Sequence, residues 1–142
     1  MCPRKHRTFP AFFIFLLVLT GCQSGATTQF LVPAENRSRL VGAIEEVANV
    51  FRMETARSET EILGEFVNFQ LGELGSYFRI GARNYLESFV VEVTAYEAGL
   101  YDKRTFQAIE AALERRLEEL YGKSLKVYRD HKDQIPIERK DT

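Results

Sequence analysis

The chain has 142 residues, 45% of them hydrophobic, and a formal net charge of −1. That is room for one domain with a real core and not for two. With mixed charges and no basic stripe, nucleic acid is excluded as an expected partner. In chain order, residues 1–21 read first as a secretory leader. Arg4, Lys5 and Arg7 give a positive start with no acidic residue, and Phe9 to Leu19 form an apolar run broken only by Pro10. A bilayer span needs roughly 20 apolar residues, so this run is too short for a membrane helix and suits a signal sequence.

The run closes on Leu19-Thr20-Gly21-Cys22. This tetrad resembles the lipobox of bacterial lipoprotein precursors. The resemblance implies that the Cys22 thiol receives diacylglycerol, that the leader is cut before Cys22, and that the new amine is acylated. Two or three acyl chains hold a protein stably at a membrane, where one holds it marginally. Gln23 stands where an aspartate would imply inner-membrane retention. The implied location is therefore the periplasmic face of the outer membrane in a Gram-negative host. Cys2 would leave with the leader and Cys22 would be lipidated, so no disulfide is expected within residues 22–142. The leader takes three basic residues and no acidic one, which leaves the remainder mildly acidic.

Residues 22–33 read as a lipidated, flexible tether, because Gln23 to Thr28 is small and polar and cannot bury enough surface to order itself. Phe30, Leu31 and Val32 form a small apolar patch that is expected to dock rather than to pair as a strand. Residues 34–135 read as a helical domain. Leu40, Ile44, Val47 and Phe51 share one helix face across 34–57, and Ser58-Glu59-Thr60-Glu61 fits a capping box that would restart the helix at 58. The two pieces could also be continuous. Across 58–98, Glu61, Glu65, Asn68, Gly72, Ser76, Arg79, Arg83 and Glu87 recur at three- and four-residue steps, so the spacing predicts an apolar central helix with one polar stripe. Phe89 to Thr94 is β-branched enough for a strand. With no neighbouring strand-like segment to pair with it, helix is expected there as well. Gly99 would end this helix and Asp102 would cap the next. That last helix is expected to run to about Lys132, with residues 136–142 as a polar tail. The fold class expected is all-α, a three-helix up-down-up bundle or a long helical hairpin.

Little in this pattern promises chemistry. Glu110, Glu114 and Glu118 share a helix face, but inward Glu-x-x-His pairs do not accompany them, so a solvated charged face is expected rather than a metal site. His131 has no nucleophile elbow or oxyanion loop beside it. No cofactor, metal or catalytic residue is expected. Tyr77, Tyr85, Phe89 and Tyr96 are the candidate ligand or partner surface, since such aromatics serve either a core or an interface. The function these features suggest is a non-enzymatic envelope lipoprotein. It would be held to the membrane by acyl chains on Cys22 and act as a helical adaptor or scaffold for another envelope protein. The alternative is a binder of lipid or another small apolar ligand through an aromatic-lined bundle. The sequence leaves the oligomeric state open.

Overall fold

The structure, a computed structural model, describes residues 24–56, 64–73, 76–97 and 102–129. In chain order they form β1 (Ser24–Pro33), α1 (Arg37–Val50), β2 (Glu54–Thr55), β3 (Glu65–Glu73), β4 (Ser76–Tyr85), β5 (Ser88–Glu97) and α2 (Lys103–Tyr121). A 3-10 turn (Gly122–Ser124) and β6 (Lys126–Tyr128) follow. The strands make one six-stranded sheet in the order β2-β3-β4-β5-β1-β6, and each neighbouring pair is antiparallel. The expected all-α bundle is therefore wrong, for the described residues are mostly antiparallel sheet with two helices.

The largest correction falls on 58–98. From Glu65 onward the described part of this span is the meander β3–β4–β5 rather than a central helix. Side chains on a strand alternate between faces, and β4 does so cleanly. Phe78, Ile80 and Ala82 join the hydrophobic core, whereas Tyr77, Arg79, Gly81, Arg83 and Tyr85 alternate with them and face the other way. Three- and four-residue steps sample both faces of such a strand, so the helical stripe was an accident of spacing. The Phe89–Thr94 segment has two partners. All ten residues of β5 pair with β4 on one side and with β1 on the other. The tether expected at 22–33 is likewise replaced from Ser24 onward by β1, in which Phe30 pairs with Val91 and Val32 with Phe89. The capping box at 58–61 and the helix end at Gly99 lie outside the described residues.

Two expected helices are present and shorter than expected. In α1, Leu40, Ala43, Ile44, Val47 and Ala48 are buried, and Asn36 caps the start by accepting from the Arg39 amide at 3.3 Å. In α2, Phe106, Ile109, Leu113 and Leu117 are buried. Asp102 accepts from the Arg104 and Thr105 amides at 3.0 and 3.3 Å, satisfying donors that the helix itself cannot. α2 ends at Tyr121 because Gly122, at φ 55, turns the chain out of the helix. Residues 126–128 then form the edge strand β6 on β1. Both helices close over one sheet face, where Leu40, Ile44, Ile109, Leu113 and Leu117 meet Phe30, Ile80, Val91 and Val93, all without solvent exposure. Burying each such side chain favours folding by roughly 1.5–3 kcal/mol. Among the described residues no helix is long and apolar enough to cross a membrane.

Candidate functional site

The face turned away from the helices is polar, and the strand register arranges it in rows. The middle row runs Asn68, Gly81, Glu92, Gln29 and Tyr128 across β3, β4, β5, β1 and β6. On one side of it lie Gln70, Arg79, Thr94 and Thr27, and beyond those Gly72, Tyr77, Tyr96 and Gly25. On the other side lie Glu65, Arg83, Val90, Leu31 and Lys126.

The centre of this face holds a buried polar network. Arg79 forms an ion pair with Glu65, and both side chains are under a tenth exposed. Its Nε also donates to Asn68 Oδ1 at 3.1 Å. A register irregularity between Glu65 and Val67 keeps Glu65 on this face, where its carboxylate lies over Gly81. Any Cβ at position 81 would collide with that carboxylate, so the glycine makes the space that the ion pair occupies. Gln29 Nε2 donates to Glu92 Oε2 at 2.8 Å, and Gln29, Asn68, Arg79 and Arg83 are all buried. Among the described residues the Asn68 Nδ2 group has no hydrogen-bond partner. Burial raises the Glu65 carboxyl above its ordinary value of 4.5; Arg79 and Arg83 oppose the shift, and the charge of Glu92 adds to it. Desolvation thus outweighs the ion pair, as is common for buried charges.

The four aromatic candidates do not form one surface. Phe89 points to the helices and is buried, packing edge-on against Phe66 at 5.3 Å between ring centroids. It belongs to the core. Tyr77 and Tyr96 face the other way and stack on each other at 5.3 Å and 27°. Glycines flank this pair in the register on both sides, Gly72 on β3 and Gly25 on β1. Tyr85 lies at the far end of β4, with the Arg83 guanidinium 5.9 Å from its ring centroid.

Beside Tyr85 the chain makes a two-residue turn, since Tyr85 pairs with Ser88. Leu86 fills its first position at φ 51 and is 82% exposed. A γ-branched side chain at positive φ is strained, and glycine or asparagine is usual in such turns. The molecule therefore holds a bare apolar side chain at a hairpin tip against its backbone preference.

The remaining sequence candidates are structural or out of view. Glu110 and Glu114 are gathered by Arg129, at 2.8 Å to Glu110, and Thr28 Oγ1 donates to Glu110 at 3.0 Å. This cluster fastens α2 to β1 and to the residue after β6. Glu118 is exposed. Among the described residues no group of three His, Cys, Asp or Glu side chains is placed to hold a metal. Cys22 and His131 lie outside the described residues. Sequence reading missed the network of Glu65, Asn68, Arg79, Gly81, Arg83 and Glu92. The signal the sequence carries for it is the alternation of Phe78, Ile80 and Ala82 with Tyr77, Arg79, Gly81 and Arg83. In comparison with known proteins, the chain matches no protein-family model and no curated protein.

Proposed function

We propose that this chain is a non-enzymatic envelope lipoprotein, held to a membrane through Cys22, that engages another envelope protein at the tip of the β4–β5 hairpin. One observation carries the reading: Leu86 is exposed and strained beside Tyr85. Strain of that kind is a cost that a surface with no task would shed, and it concentrates at sites of recognition. An apolar residue beside a tyrosine also suits the buried centre of a protein interface. The leader and the lipobox-like tetrad support the tether. The apolar-ligand reading loses one of its residues, because Phe89 is part of the core.

The sheet also suits an adaptor mechanically. β1 begins at Ser24, two residues after Cys22, and is paired along its whole length with β5. An anchor there would hold the domain by a strand paired along its whole length rather than by a loose leash. The test is site-specific photo-crosslinking in the native envelope from position 86, with exposed Glu45 on α1 as the control position. A single adduct of one defined mass from 86, absent from 45, is the expected result. Equal or diffuse labelling from both positions would sink the hairpin as the docking site.

A further inference from the structure

We propose that the opposite end of the sheet, at the Tyr77–Tyr96 pair, rests against the lipid headgroups of the membrane that holds Cys22. This rests on the tether reading above and adds the orientation of the domain to it. The first observation is the register. Gly25, Tyr96 and Tyr77 form one row across β1, β5 and β4, and Gly25 stands three residues after Cys22. Three residues of chain span at most about 11 Å, so an acylated Cys22 keeps this row at the membrane surface. The second is rigidity. A Cβ on Gly25 would lie 2.9 Å from the Ala95 carbonyl oxygen, so the start of β1 sits close on the β5 backbone and moves with the tyrosine row.

The third observation is chemical. Tyrosine carries an apolar ring with a polar tip, and this combination favours the boundary between hydrocarbon and water. Here two such rings stack at 5.3 Å, both half-buried, and the flanking glycines put no side chain beside them in the row. The other end of the sheet is far away. β4 has ten residues from Ser76 to Tyr85, about 30 Å at strand rise. Tyr77 and Leu86 therefore stand at opposite ends of the sheet. With one end on the lipid, the hairpin tip projects away from the membrane towards a partner.

The chain contains no tryptophan, which gives a clean probe. Y77W, Y96W and L86W are each expressed with the leader intact, purified as the lipidated protein and placed in phosphatidylcholine vesicles brominated high on the acyl chain. Loss of emission from Y77W and Y96W, with L86W unchanged, is the expected result. Either tyrosine position decides the matter if the other variant fails to fold. Equal emission in brominated and plain vesicles at 77 and 96, or quenching at 86 instead, overturns the orientation while leaving the tether standing. Mass spectrometry of the N-terminal peptide separates the two failures, because an unmodified Cys22 removes the tether reading and this inference with it.

Discussion

The two faces of the sheet are made from alternate residues of the same strands, yet they keep water out by different means. Towards the helices, Phe30, Ile80, Val91 and Val93 are buried among apolar neighbours, and close packing alone stabilises them. On the other face, Asn68, Arg79 and Glu65 are nearly as buried but depend on partners of fixed position. An apolar core tolerates a neighbour that is merely of similar volume, whereas a buried charge must find a particular atom. The second face is the more specific of the two and the more easily broken. It leaves the tyrosine row and the hairpin tip at its ends as the accessible features.

The sharpest way to break this contrast is Arg79→Ala, which strands the Glu65 carboxylate and Asn68 without their donor. A loss of about 3–5 kcal/mol is expected, read as a lower urea midpoint. Ile80→Ala, its neighbour on the helix side, should cost about 2–5 kcal/mol through the cavity it leaves. Combining it with Val93→Ala, its cross-strand partner, should give a non-additive sum, because the two share one cavity. Gly81→Ala tests whether the space under Glu65 is needed. Its methyl must displace the carboxylate, and a cost of about 1–3 kcal/mol is expected. A neutral result would show that Glu65 has somewhere else to go.

Leu86→Gly should act in the opposite direction, adding up to about 1 kcal/mol by relieving the positive φ while lowering the crosslink yield from a probe at the neighbouring exposed turn position, Glu87. A gain in stability with binding intact would mean that the strain serves nothing. Glu65→Gln leaves the buried Arg79 without its counter-charge, although the amide oxygen can still accept from it, so at neutral pH a cost below that of Arg79→Ala is expected. Its signature lies in the pH dependence. The folded Glu65 carboxyl is raised above 4.5, so the folded state binds this proton more tightly than the unfolded chain does. Its contribution to stability is fully present below 4.5 and is lost as pH rises through the higher folded value. Asp102, lowered from 3.8 by its hydrogen bonds to Thr105, runs the other way. Its contribution is present above 3.8 and is lost as pH falls through the lower folded value. Denaturant midpoints measured across this range should lose the first component in Glu65→Gln and keep the second.

Several local features were legible in the chain itself. The helix faces Leu40-Ile44-Val47 and Phe106-Ile109-Leu113-Leu117 follow from spacing, and the Asp102 cap follows from residue type, because both depend on contacts within a few positions. Which strands pair was decided only by tertiary structure. β5 needs β1 as one of its two partners, some sixty residues away in sequence, and no window on Phe89–Thr94 contains that strand. The turn at Leu86 carries no glycine or asparagine to announce it, since the fold imposes positive φ on a leucine there. Glu65, Asn68, Arg79 and Arg83 did stand out as a polar set. Their convergence comes from cross-strand register and a bulge at Glu65, not from the helical period that first grouped them. Periodicity states which residues share a side of some element. Which element it is depends on the partners available to its backbone amides and carbonyls, and those partners are brought in by the rest of the fold.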